Sequence, residues 1–251
     1  MYLTNPFVFA AGFDNTWSTQ FDGLTMYAED TGATNTTMGI TKNMSCSFWV
    51  KANGTVGAFD TMIGNSAVYP ANTDGFGFYF VSNTIRFYIN SYNAHVSSGA
   101  CTLNDGNWYH VVGTFDGTTS PNSIRVYINA VGAGYDNHTS DVGGTNQLIV
   151  GKSAITTGYV APVIIDEVAV WNVTLTQGEV TELYNSGAPT NLDDFSGTAP
   201  KIWYRMGDGA TFPNNPQGFG NDVAAGWTFT WVFTIPGTYD YQCLSLIHIS
   251  E

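Results

Sequence analysis

The feature that most constrains this chain is strict alternation of apolar and polar residues in short runs separated by turn formers. In MSCSFWVK, Met44, Cys46, Phe48 and Val50 fall on one face and Ser45, Ser47, Trp49 and Lys51 on the other. A period of two belongs to a strand with one face turned to a core. In GFGFYFVSNTIRFYIN, Phe76, Phe78 and Phe80 precede Ser82-Asn83-Thr84, and Ile85, Phe87 and Ile89 follow, which predicts a hairpin. NWYHVVGTFD (107–116) and SIRVYINAV (123–131), joined by GTTSPN, predict another, and residues 148–151 and 163–171 supply two more strands.

Composition agrees. The 251 residues hold 28 Gly and 15% aromatics but only 11% charged residues, well under the roughly 25% of an average soluble protein. This argues against long, charge-decorated helices and favours a many-stranded sandwich. One short helix is expected near residue 180: Thr176 and Glu179 have capping-box spacing, Leu175 and Val180 can form a hydrophobic staple, and Gly187 lies past the end. A composition break with FPNNPQGFGN near residue 210 predicts a domain boundary, with the β-sandwich at 1–210 and a linker opening the remainder, 211–251.

A net charge of −13 repels phosphate backbones and anionic lipid, so neither nucleic acid nor membrane insertion is expected. Cys46, Cys101 and Cys243 show neither a disulfide framework nor zinc spacing, and the first two read as small core residues. No catalytic constellation is found. There are five Glu and no carboxylate pair for glycoside hydrolysis, and no G-x-S-x-G. His95, His110 and His138 read as structural histidines, and Asp166 and Glu167, adjacent in a strand, are expected on opposite faces. Trp49, Tyr79 and Tyr88 project opposite the core stripes, so they either stack sugar rings on a concave sheet or pack beneath a covering segment.

Taken in order, FDG (21–23), MSCSFWVK (44–51), NWYHVVGTFDG (107–117), IRVYINAV (124–131), LIVGKS (148–153) and IDEVAVWNVTLTQGEVTELYNSG (165–187) resemble the laminin-G-like, concanavalin A-like jelly rolls that include pentraxins. The resemblance covers about residues 20–187 and implies a two-sheet antiparallel jelly-roll sandwich with one short C-terminal helix. The chain departs from the pattern at Asn129-Ala130, where Asn-Gly is usual, and lacks an Asp-Asp pair after FDG. The resemblance implies a binding module for carbohydrate or another extracellular ligand in an adhesive or virion-associated protein, at the cell exterior or virion surface. A ligand-free spacer and a glycosidase-related domain are the rival readings. Because the first and last strands of such folds are neighbours, Asp22 and Asp166 either ligate a structural calcium ion or bond loop amides.

AAGWTFTWVFTIPGTYDYQC (224–243) resembles the closing strands of a cupredoxin, with Cys243 as its copper cysteine. Only His248 follows and the first His-bearing strands are missing, so no copper is expected. The ending LSLIHISE (244–251) is similar to translated sequencing-adapter read-through.

Overall fold

The computed structural model describes residues 15, 18–66, 74–90, 95–136, 141–143, 146–153 and 159–206, and the backbone of a strand at 229–231. The first strands are β1 (Thr19–Gln20), β2 (Ala28–Thr34), β3 (Met44–Ala52), β4 (Thr61–Gly64), β5 (Phe76–Val81), β6 (Thr84–Ile89) and β7 (His95–Ser97). After them come β8 (Tyr109–Phe115), β9 (Ile124–Ile128), β10 (Val131–Asp136), β11 (Gln147–Val150), β12 (Val163–Trp171), helix α1 (Gln177–Tyr184), β13 (Ile202–Tyr204) and β14 (Phe229–Trp231). The first sheet runs β1-β12-β3-β8-β9-β10, with β13 also on β12; the second runs β14-β2-β11-β4-β5-β6-β7. Neighbouring strands are antiparallel throughout. The expected two-sheet sandwich is what forms.

The alternating stripes explain the layering. Met44, Cys46, Phe48 and Val50 of β3 face Phe76, Phe78 and Phe80 of β5 and Ile85, Phe87 and Ile89 of β6 in one buried cluster. Phe48 meets Phe78 edge-on at 5.0 Å, and Phe78 stacks on Phe87 at 4.7 Å. Gly113 of β8 lets these rings touch the opposite backbone, for a Cβ there would lie 2.6 Å from the Phe78 ring. The β5–β6 hairpin turns on two residues, Ser82 and Asn83, with φ of 50° and 58°. Two positive φ values give the primed turn whose twist matches the strands.

Helix α1 starts where the sequence places it. The Thr176 side chain accepts from the Glu179 amide, and the Glu179 carboxylate accepts from the Thr176 amide at 2.7 Å. Val180 and Leu183 bury against Val112, Tyr127, Ala169, Trp171 and Trp203 on the outer face of the first sheet. Ser45 fastens the approach to the helix by donating to the Val173 carbonyl and accepting from the Leu175 amide, both at 2.9 Å.

In β12 the register shifts between Asp166 and Ala169, and Glu167 has φ 49°. Ile165 and Val168, three positions apart, both face the inner core, so neither Asp166 nor Glu167 does. The expectation that these acids sit on opposite faces is corrected here: a bulge breaks the alternation. Glu167 pairs with Arg205 at 3.3 Å and accepts from the Trp203 indole, all buried, which fixes β13 to β12.

The strand at 229–231, inside the stretch read as a cupredoxin-like hairpin, pairs with β2 and forms the edge of the second sheet. His138, Cys243, His248 and the boundary near residue 210 lie outside the described residues.

Candidate functional site

The three rings expected to carry sugar are all covered. Trp49 is 4% exposed, lying 5.0 Å from His110 and stacked at 6.0 Å on Tyr184 of α1. Tyr88 is 5% exposed. Its ring lies over Gly77, where a Cβ would come within 2.7 Å of it, and its hydroxyl bonds Ser66. Tyr79, 3% exposed, is ringed by Phe59, Tyr88, His95 and Arg86. Each therefore packs beneath a covering group, the second of the two expectations for it, because both sheets carry a second layer on their outer faces.

A residue that carried no pattern in the sequence takes the exposed place. Phe59 is 39% exposed, one of three large apolar side chains so placed among the described residues, with Leu24 and Val131. Its φ is 70°, a left-handed conformation that costs a residue with a Cβ about 1–2 kcal/mol. The Phe59 amide donates to the Phe80 carbonyl at 2.7 Å, and its ring stacks on Tyr79 at 5.9 Å and tilts against Tyr159 at 5.8 Å. Beside it Asp60 turns inward to accept from the Gly57 amide at 2.6 Å. Burial raises the Asp60 pKa against that hydrogen bond. Only a positive φ at a loop phenylalanine distinguishes the residue, and no periodicity encodes that.

Asp22 and Asp166 do not share a site. Strands β1 and β12 are neighbours as expected, but Thr19 pairs with Ile165 and Gln20 with Ile164. Asp22 thus aligns with Pro162, four positions from Asp166, or about 13 Å along a strand. Asp22 Oδ1 accepts from the amides of Leu24, Thr25 and Met26 at 2.8–2.9 Å. Partial burial raises its carboxyl pKa, but these amides and the Thr25 hydroxyl outweigh that and hold it low. Asp166, 1% exposed, accepts from the Glu167 amide at 2.9 Å within the bulge. Among the described residues no three His, Cys, Asp or Glu side chains converge as metal ligands. Two such carboxylates do not fit one calcium ion, which takes six to eight oxygens; Asp22 is a turn-capping residue.

One contact resembles a nucleophile and its base: Ser47 Oγ lies 2.8 Å from His110 Nε2. Both are buried, His110 Nδ1 meets no hydrogen-bonding partner, and Asp166 lies beyond Trp49 on the second strand away. Burial pushes the His110 pKa down to about 3. A base needs an orienting acid and access to a substrate, and this pair has neither. The two thiols among the described residues are equally unsuited to nucleophilic work, since burial raises the pKa of Cys46 and pushes that of Cys101 up to about 11.

Comparison with known proteins adds the following. A family model of the concanavalin A-like lectin/glucanases superfamily, Laminin_G_3, matches residues 7–181. No curated protein matches the chain. Among solved structures, a heptameric SAP-like pentraxin from Limulus polyphemus is 13% identical with a TM-score of 0.53, over 85% of this chain and 90% of that one. A Trypanosoma rangeli sialidase is 15% identical with a TM-score of 0.49, over 69% of this chain and 28% of that one. The binding domain of botulinum neurotoxin serotype G is 17% identical with a TM-score of 0.45, over 58% of this chain and 36% of that one. At such identities the likeness is one of fold.

Proposed function

The chain belongs to the laminin G family of the concanavalin A-like lectin/glucanases superfamily, and from that premise we propose that it is a non-catalytic binding module for carbohydrate, acting outside a cell or on a virion surface. The observation that carries this reading is Phe59, an aromatic ring held out to solvent on a strained backbone and backed by two tyrosines. Backbone strain persists where the surroundings enforce it, and it gathers at ligand-binding positions. A rigid, supported ring face suits the apolar face of a pyranose. Glu167 is committed to Arg205 and the Ser47–His110 pair is sealed, which supports binding rather than turnover.

The test is a glycan array at millimolar calcium with the native protein and Phe59→Gly. Glycine takes a φ of 70° without cost, so the substitution removes the ring and relieves the backbone. Binding should fall at least about fivefold, the worth of an aromatic contact near 1 kcal/mol, while the melting temperature stays within a few degrees. Silence of the native protein across the array would leave the spacer reading. Sugar released from β-glucans or sialosides would establish a hydrolase instead.

A further inference from the structure

Phe59 is one member of a longer row. Strands β11 and β4 pair through Ile149–Gly64 and Val150–Ile63, then part, and Val160 enters between them, bridged to Lys152 on one side and Thr61 on the other. This insertion aligns side chains across the end of the second sheet. Lys152 Nζ sits 3.6 Å over the Tyr27 ring, Tyr159 meets Phe59 at 5.8 Å, Phe59 meets Tyr79 at 5.9 Å, and Arg86 Cζ lies 5.9 Å over Tyr79. The pair Tyr27–Lys152 and the group Tyr159–Phe59–Tyr79–Arg86 fall along the order β2, β11, Val160, β4, β5, β6, about five strand spacings or roughly 24 Å. All but Tyr79 keep surface open to solvent.

Charge identifies the occupant. Among the described residues the ion pairs are Lys42–Asp141 and Arg205–Glu167, so Lys152 and Arg86 have no carboxylate within 4.0 Å, in a chain with twenty acids for seven Lys and Arg. Arg86 Nε is buried without a hydrogen-bonding partner. Each cation rests on a tyrosine ring, one toward each end of the row. A single file of rings offers little to a globular partner, which buries a broad patch. It suits a ribbon-like ligand with flat apolar faces and anionic substituents.

Resting on the reading of Phe59 given above, we propose that the ligand is an internal stretch of a linear acidic polysaccharide laid across the strands, its rings against Tyr27, Tyr159 and Phe59 and its carboxylates toward Lys152 and Arg86. Charge-assisted hydrogen bonds from these cations would set the preference for acidic over neutral chains.

The experiment is calorimetric titration of the whole chain with oligomers of two to six units from polygalacturonate, alginate and hyaluronan, each beside its carboxyl-reduced neutral counterpart. For at least one series, affinity should rise about tenfold or more from dimer to hexamer and exceed that of the neutral counterpart by a similar factor. Arg86→Gln and Lys152→Gln should each remove part of the acidic preference, and Tyr27→Ala, at one end of the row, should weaken hexamer binding more than dimer binding. Arg86→Lys, which keeps the charge and loses the fork, should retain part of the preference and guards against misfolding of the Gln variant. Phe59-dependent glycan binding without a length or charge preference overturns this inference and leaves the binding module standing. Absence of any glycan binding overturns both.

Discussion

The turn between β9 and β10 places Asn129 and Ala130 at φ of 51° and 62°, a primed two-residue turn in which the second position carries a methyl group. The left-handed conformation costs alanine more than glycine, and glycine returns part of the gain as unfolded-state entropy. Ala130→Gly should therefore stabilise the protein by about 1 kcal/mol, a rise of roughly 2–4 °C in melting temperature for a chain of this size. A fall on thermal denaturation would refute the argument. Asp22 sits in a second informative turn. With three amides on one carboxylate oxygen, Asp22→Ala should cost about 1–2 kcal/mol, equally in calcium and in chelator. A loss confined to calcium would reinstate Asp22 as an ion ligand. The sequence shows which face of a strand Trp49, Tyr79 and Tyr88 occupy, because that follows from a period of two. It cannot show whether that face is open, because the covering groups, Tyr184, Ser66 and Phe59, come from other parts of the chain.

At the scale of elements, α1 was legible from its capping box and staple, while its destination was not. Lying on the outer face of the first sheet, it closes Trp49, Ser47 and His110 beneath Tyr184. This closure gives the fold a pH dependence. His110 moves from an ordinary value of 6.5 down to about 3 through burial, so the unfolded chain takes up a proton that the folded protein refuses in between. The stabilisation is complete above about pH 6.5 and is lost as pH falls toward 3, at about 1.4 kcal/mol per pH unit. Urea unfolding of the native protein between pH 7 and 4 should show an acid slope that His110→Gln, which can still reach Ser47, makes shallower by up to one proton. Equal slopes would place the acid sensitivity elsewhere. The bulge of β12 escaped the sequence for a related reason. Asp166-Glu167 reads as ordinary alternation, and only the register against β3 and the partner Arg205, 38 positions on, reveal that an extra residue is accommodated.

For the molecule as a whole, the two outer faces are unequal. One sheet is roofed by α1, and the other carries a thin layer of tyrosines ending in the row from Tyr27 to Arg86. Layer architecture was readable from composition and alternation, but this inequality depends on tertiary placement, and it decides where a ligand can lie. Net charge then sets how an acidic ligand arrives. The chain carries −13 overall, while among the described residues neither cation of the row has a carboxylate within 4.0 Å. Long-range repulsion between molecule and ligand is screened beyond about 8 Å at physiological ionic strength, whereas contacts with half-buried cations on aromatic rings are screened much less. Raising salt from low to physiological concentration should thus leave affinity for an acidic oligosaccharide unchanged or strengthen it modestly, and should speed association. A protein that gathers anions on a broad basic surface behaves in the opposite way, losing about a thousandfold or more over a similar interval. Titrations at several salt concentrations separate the two, and a steep loss of affinity would mean that the ligand is held by something other than two local cations on an otherwise acidic molecule.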